Sequence, residues 1–167
     1  MSIRVGIVGI SGFGGSEALR LIAGHPSFEL VYAAGQGSAG GQLNEHFPGL
    51  SGKLAEMVIE KWDPNTVPEL DLLFASLPTG ASAEALARVS RDVKIVDIGG
   101  DHRYVDGWTY GLADVWPEEI KGQSRCWPGR RRRVLFCRKQ REPHSLWIAE
   151  ACPHAGDGND YQTAGRL

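Results

Sequence analysis

Three glycines spaced three residues apart near the start of the chain have the chemistry of a phosphate-binding loop. Gly9, Gly12 and Gly15 follow an apolar, β-branched segment and precede a segment with helical periodicity. The first glycine permits a tight turn, the second lets backbone N–H groups approach a pyrophosphate, and the third lets helix and strand pack closely. The loop therefore predicts a dinucleotide site, with an ordinary glycine-rich turn as the alternative.

The residues after the second predicted strand bear on the choice between NAD and NADP. An acidic side chain there would bind the ribose 2′-hydroxyl of NAD, but residues 34–38 contain no carboxylate and no arginine. Ser38 could hydrogen-bond a 2′-phosphate without repelling it. The segment therefore favours NADP through the absence of repulsion, and a flexible linking loop without cofactor contact is the alternative hypothesis.

Alternating strand-like and helix-like segments would position this loop. We predict strands at residues 3–8, 28–34, 70–77 and 93–98, and helices at residues 14–23 and 81–89. Glu17 is expected in the first turn of the first helix, and residues 42–69 give no consistent pattern. Continuous apolar strands that alternate with helices are typical of parallel strands covered on both faces. The predicted fold is therefore α/β, a doubly wound Rossmann-like parallel sheet.

Asp101, His102 and Arg103 follow the last predicted strand and two glycines, a place where α/β active sites collect side chains. Arg103 could bind a substrate carboxylate or phosphate through two parallel hydrogen bonds. Alternatively, an ion pair between Asp101 and Arg103 would fix the loop. We assign no catalytic role to His102.

Charge divides the chain into two unlike segments. The first 120 of its 167 residues hold 8 basic and 16 acidic side chains, and the remainder holds 10 basic and 4 acidic ones. We expect residues 1–125 to form a dinucleotide-binding domain and residues 126–167 to form a poorly ordered basic tail. Overall composition excludes collagen, coiled coil and a wholly disordered chain.

Several other classes of protein and site are disfavoured. The apolar stretches are too short to span a bilayer and the start lacks a signal-peptide pattern, which predicts a cytoplasmic protein without membrane contact. Cys126, Cys137 and Cys152 form no CxxC pair, so we expect reduced thiols and no metal site. The arginines of residues 130–141 match no nucleic-acid reader motif, and the acidic body would oppose such binding.

The chain resembles the N-acetyl-γ-glutamyl-phosphate reductase family of the semialdehyde dehydrogenase superfamily. The motifs that carry the resemblance lie in order at residues 5–15, 38–40, 74–80, 96–103 and 110–112. The resemblance implies the following cofactor contacts: Gly9, Ser11, Gly12, Phe13, Gly14 and Gly15 at the pyrophosphate, Ser38 on the adenosine side, and Leu77, Pro78 and Gly80 in a turn beside the nicotinamide. It also implies NADP as cofactor, an acyl-phosphate substrate and a place in arginine biosynthesis, and it leaves a homo-oligomer open.

The resemblance also implies a catalytic cysteine, which this chain does not place where the family does. Family members attack the acyl phosphate with a thiolate from an Asn-Pro-Gly-Cys turn, and hydride from the nicotinamide then reduces the thioester. Aligned on Pro128 and Gly129, this chain has Arg130 at the position of the nucleophile. Cys126 precedes that turn and is a poor substitute. We therefore assign no catalytic residue.

The family pattern stops near Arg125, and the family's catalytic domain has no counterpart in the chain. The tail's excess of Arg, Trp, Cys, Pro and His suggests translation of a GC-rich gene in another reading frame. Two alternatives to the arginine-pathway reductase remain open: a nucleotide-binding module without catalysis, and a reductase of the aminoadipyl phosphate of lysine biosynthesis.

Overall fold

The computed structural model describes residues 2–89, 93–106, 108–111 and 133–135. Within these ranges one parallel sheet contains, in chain order, β1 (Ile3–Val8), β2 (Phe28–Ala34), β3 (Leu72–Ala75), β4 (Lys94–Asp97), β5 (Trp108–Tyr110) and β6 (Arg133–Leu135). The helices are α1 (Phe13–Ala23), α2 (Leu43–His46) and α3 (Ser82–Ala87), and a short 3-10 helix covers Gly52–Leu54. The strands lie side by side in the order β2-β1-β3-β4-β6-β5.

The carboxyl ends of the first three strands lie level with one another. Val8, the last residue of β1, pairs with Ala34 of β2 on one side and with Ala75 of β3 on the other. The chain passes from β1 outward to β2 and then returns across β1 to β3, so the direction of winding reverses between β1 and β3. The loops that follow β1 and β3 therefore meet at one edge of the sheet.

Each face of the sheet carries its own hydrophobic core. On one face, Ile7 and Phe74 pack with Leu19 and Ile22 of α1. On the other face, Leu86 of α3 belongs to a cluster with residues of the strands and of the segments next to them: Val8, Tyr32, Ala34, Leu70, Leu73, Ala75, Val89 and Ile95. Because adjacent residues of a strand point to opposite faces, strands that are apolar throughout fill both cores. The predicted doubly wound α/β fold is confirmed.

Most predicted elements lie where the sequence indicates, with small shifts at their ends. β1 and β2 have the predicted bounds, whereas β3, β4 and α3 are shorter than predicted. α1 begins at Phe13, one residue early, and has no acidic residue in its first turn. The expectation that Glu17 lies in that turn is therefore wrong, because the helix begins directly after Gly12.

Three parts of the fold were not predicted. Residues 42–69 form α2, the 3-10 helix and two isolated bridges, of which one joins Ala34 to Glu60 and the other Gln42 to Val58. β5 follows the loop after β4, and β6 from the basic tail lies between β4 and β5. The remaining predictions for the tail, including its three cysteines, fall outside the described residues. No helix in the described ranges is long and apolar enough to cross a membrane.

Candidate nucleotide-binding site

The glycine loop and the turn after β3 face one another at the reversal point of the sheet. The loop follows β1, and the turn of residues 76–80 follows β3. The Ser76 N–H donates to the Val8 carbonyl oxygen at 2.8 Å, which joins the two segments where the strands end. In open α/β sheets this crevice is where ligands bind. The structure therefore brings the two groups of predicted cofactor residues to the same edge.

Gly9 and Gly15 are required by the packing of the protein itself. Gly9 has a φ of +80°, and a Cβ there would overlap the Ser76 carbonyl oxygen. A Cβ at Gly15 would overlap the Gly9 carbonyl oxygen and lie 2.8 Å from the Cα of Ile10. The first glycine thus lets β1 turn against the segment after β3, and the third lets α1 pack against the turn.

Gly12 differs, because nothing among the described residues prevents a side chain at that position. A Cβ there would meet only the Gly9 and Ser76 carbonyl oxygens, at ordinary contact distances of 3.5 and 4.0 Å. Gly12 is the N-cap of α1, and no side chain caps the helix there. The first turn consequently has N–H groups without a helical partner and the positive end of the helix dipole. These features fit a pyrophosphate group, which needs N–H donors and close approach to the backbone.

Ser11 and Ser38 are joined by a hydrogen bond of 2.7 Å between their hydroxyl oxygens. Ser38 is buried, with 4% of its surface exposed, and a Cβ at Gly35 would lie 2.6 Å from its hydroxyl. The loop after β2 is therefore packed against the glycine loop. Gln36 and Gly37 next to Ser38 are exposed, and residues 35–41 contain no charged side chain.

The other predicted cofactor residues line the rim of the same edge. Phe13, the first residue of α1, is 90% exposed, which is unusual for a phenylalanine. Gly14 lies beside Ser76 and Ile98. In the turn after β3, Leu77 is half-buried, whereas Pro78 and Gly80 are exposed.

The loop after β4 is fastened to the turn after β3 by two carboxylates. Asp101 accepts the backbone N–H groups of Gly80 at 2.7 Å, Ser82 at 3.0 Å and Ala83 at 3.2 Å. These hydrogen bonds lower the pKa of Asp101 below its ordinary value of 3.8, and the bond from Gly80 has the largest effect. Asp101 thus fastens the loop after β4 to the start of α3 through backbone N–H groups, and the two alternatives for Arg103 stay predictions.

Asp97, the second carboxylate, is fully buried at the end of β4. One of its oxygens accepts the Ser82 hydroxyl at 2.9 Å and lies 2.6 Å from Nδ1 of His102, and the other accepts the Gly99 N–H at 2.8 Å. His102 in turn stacks on Trp108, with ring centroids 3.7 Å apart. Sequence reasoning missed this cluster, although an aspartate at the end of an apolar strand was a usable signal.

The described part of the chain contains no cluster of three or more His, Cys, Asp or Glu side chains arranged to hold a metal ion. The residues considered for a nucleophile or a metal, Cys126, Arg130, Cys137 and Cys152, all lie outside the described ranges. The structure therefore adds nothing to the prediction that the chain has no catalytic residue.

Curated relatives match most of the chain. It is 77% identical over 125 residues to the N-acetyl-gamma-glutamyl-phosphate reductase of Bradyrhizobium sp. (strain ORS 278), a match covering 75% of this chain and 39% of that protein. The protein of that name from Methylobacterium sp. (strain 4-46) is 78% identical, with coverages of 75% and 38%. The one from Salinispora arenicola (strain CNS-205) is 37% identical over 157 residues, with coverages of 86% and 43%. The chain spans about two fifths of the length of these relatives.

Solved structures and a family model agree on the fold. Aspartate semialdehyde dehydrogenase with NADP from Candida albicans matches 81% of this chain and 42% of that one, with a TM-score of 0.63 and 17% identity. Aspartate semialdehyde dehydrogenase II from Vibrio cholerae, complexed with ASA, matches 83% and 42%, with a TM-score of 0.58 and 18% identity. Residues 4–123 match the model described as the semialdehyde dehydrogenase NAD binding domain. The chain therefore belongs to the semialdehyde dehydrogenase family and contains its NAD-binding domain.

Proposed function

We propose that the chain is the NADP-binding part of an N-acetyl-γ-glutamyl-phosphate reductase and that it binds the nucleotide without carrying out the reduction by itself. The observation that carries this proposal is the uncapped N-terminus of α1 at Gly12, where the described residues leave room for a ligand. The name of the relatives that are 77–78% identical supports the substrate class, a small acyl phosphate.

Two loops and one turn among the described residues would contact different parts of the nucleotide. The first-turn N–H groups of α1 bind the pyrophosphate, because they have no helical partner and lie at the positive end of the helix dipole. The loop around Ser38 lies on the adenosine side, where its hydroxyl bond to Ser11 orders it against the glycine loop. The turn with Leu77, Pro78 and Gly80 lies on the nicotinamide side. The reduced cofactor, NADPH, would supply the hydride for reduction of an acyl group.

NADP is favoured over NAD by the charges after β2. Residues 35–41 contain no carboxylate that would bind a ribose 2′-hydroxyl or repel a 2′-phosphate. Exposed Gln36 offers an amide, which can donate a hydrogen bond to phosphate oxygen. A cytoplasmic location and a homo-oligomeric state stay predictions of the sequence.

Nucleotide titration of the full chain tests the proposal. NADPH should change the tryptophan fluorescence saturably, with an affinity at least about tenfold higher than that of NADH. Gly12→Ala should weaken NADPH binding by about tenfold or more, since its Cβ would stand where the pyrophosphate approaches the backbone. Gly49→Ala is the matched control, because a Cβ there meets nothing within 4 Å. No saturable response to either nucleotide, or equal effects of the two substitutions, would count against the proposal.

An activity assay separates binding from catalysis. The full chain, mixed with N-acetylglutamyl phosphate and NADPH, should not consume NADPH, because Arg130 stands at the position of the nucleophilic thiol. Consumption that is abolished by thiol alkylation would show that the chain has another working cysteine. The claim that it binds without reduction would then be wrong.

A further inference from the structure

Two loops on the nicotinamide side of the proposed site are held together by one partly exposed carboxylate. Asp101, in the loop after β4, accepts N–H groups from Gly80 at the end of the turn and from Ser82 and Ala83 at the start of α3. One carboxylate oxygen accepts the Gly80 N–H, and the other accepts the N–H groups of Ser82 and Ala83. No side chain of α3 caps its own N-terminus. Asp101 therefore fixes the point where the turn becomes a helix.

The turn that Asp101 fixes is in contact with the glycine loop. A Cβ placed on Gly9 would lie 3.5 Å from Cδ2 of Leu77, and one placed on Gly14 would reach the hydroxyl of Ser76. Gly80 has a φ of +93°, a left-handed conformation that is held in place by the bond from its N–H to Asp101. A change at Asp101 is consequently passed to the end of the turn, on the rim of the nucleotide crevice.

We infer that Asp101 is a positioning residue that sets the turn of residues 77–80 for the nicotinamide half of the dinucleotide, without touching the nucleotide itself. The inference rests on the proposed function, since it needs NADP to lie along this edge. Asp97 is the poorer candidate for such a role, because it is fully buried and its loss would disturb the core. Asp101 acts instead at the surface, on three backbone groups of a single turn.

The test compares the whole nucleotide with its adenosine half. NADPH and adenosine 2′,5′-bisphosphate are each titrated into the full chain, its Asp101→Asn and Asp101→Ala variants, and Asp71→Asn. Asp71 is the matched control, because its exposed carboxylate accepts the Arg4 N–H at 2.8 Å, at the opposite end of the strands. Asp101→Asn replaces an acceptor oxygen with an NH₂ group that cannot accept an N–H.

Asp101→Asn should weaken NADPH binding by about tenfold and leave adenosine 2′,5′-bisphosphate binding within about twofold of the wild type. Asp101→Ala should weaken NADPH binding more than Asp101→Asn does, again without changing the affinity for adenosine 2′,5′-bisphosphate. Asp71→Asn should change neither affinity. Equal weakening of both ligands, or no weakening of either, would overturn the inference while the proposed function stands. If the unmodified chain binds neither ligand, the proposed function fails and the inference falls with it.

Discussion

The carboxylate of Asp97 and the imidazole of His102 are hydrogen-bonded at 2.6 Å, with 0% and 6% of the two residues exposed. The same carboxylate oxygen accepts the Ser82 hydroxyl, so the carboxylate stands between hydroxyl and imidazole. A nucleophilic triad needs the imidazole in the middle, where it can take the proton of the hydroxyl. This cluster is therefore structural: it joins the end of β4 to α3 and, through the ring of His102 on Trp108, to β5.

Removing the shared acceptor should destabilise the protein strongly. Asp97→Ala leaves the Ser82 hydroxyl, the Gly99 N–H and the His102 ring nitrogen without their partner in a buried place. We expect a loss of about 3–5 kcal/mol in the free energy of unfolding, measured by urea denaturation. Glu69→Ala is the control. It removes only an exposed ion pair with Arg4 and should cost less than about 1 kcal/mol. Similar costs for the two variants would contradict a structural role for Asp97.

The fold could be predicted where an element is apolar and is indicated by the residues of its own segment. β1 and β2 are apolar apart from Arg4, Gly6 and Glu29 and are each followed by a glycine, and their bounds were predicted correctly. Residues 42–69 were not, because their short helices and bridges depend on contacts with the loop after β2, such as the bond from the Gly40 N–H to the Ile59 carbonyl. β6 has only three residues and is held by its neighbours in the sheet, so no local pattern indicates it.

The candidate site was predictable to the same extent. The spacing of the glycines indicates the loop, because the steric demand at Gly15, whose Cβ would overlap the Gly9 carbonyl oxygen, acts between near neighbours in the chain. The capping of α3 by Asp101 was not predictable, since Asp101 lies 19 residues after Ser82 along the chain and reaches the start of the helix only through the sheet. Likewise, the burial of Ser38 against Ser11 depends on two loops from different strands.

The glycines of the loop should separate into those needed for folding and one needed for binding. Gly9→Ala should lower the free energy of unfolding by about 2–4 kcal/mol, because its Cβ would overlap the Ser76 carbonyl oxygen at a positive φ. Gly12→Ala should cost at most about 1 kcal/mol, the difference between the two residues at an N-cap. Chemical denaturation of both variants checks this. A Gly12→Ala loss as large as that of Gly9→Ala would refute the distinction.

Tyr32 should be replaceable by phenylalanine with a gain in stability. Its ring is buried in the core on the α3 face, and its hydroxyl has no hydrogen-bond partner of good geometry among the described residues. A buried polar group without a partner is costly, so Tyr32→Phe should raise the free energy of unfolding by about 1 kcal/mol. Urea denaturation at neutral pH measures the change. A loss of stability would indicate that the hydroxyl has a partner, such as an ordered water.

The same substitution should remove a loss of stability at alkaline pH. Burial, followed by the charges of Glu60 and Asp63, raises the pKa of Tyr32 to about 12, a shift that the Asp63 backbone only partly offsets. Because the folded pKa exceeds the ordinary value of 10.0, the contribution of the neutral phenol is complete below pH 10 and is lost as the pH rises toward 12. Wild type and Tyr32→Phe compared at about pH 8 and about pH 11 should differ more at the higher pH. A constant difference would contradict the raised pKa.

Asp101 should make the protein lose stability at acid pH. Its pKa is lowered below the ordinary 3.8, first by the Gly80 N–H and further by those of Ala83 and Ser82. A carboxylate with a depressed folded pKa contributes stability that is present above the ordinary pKa and lost as the pH falls through the folded one. The stability difference between wild type and Asp101→Asn should therefore be constant from neutral pH down to about pH 5 and shrink below the ordinary value of 3.8. Urea denaturation across this pH range measures the stability difference, with Asp71→Asn as the control. A difference that does not change with pH would show that the three hydrogen bonds do not depend on the charge of Asp101.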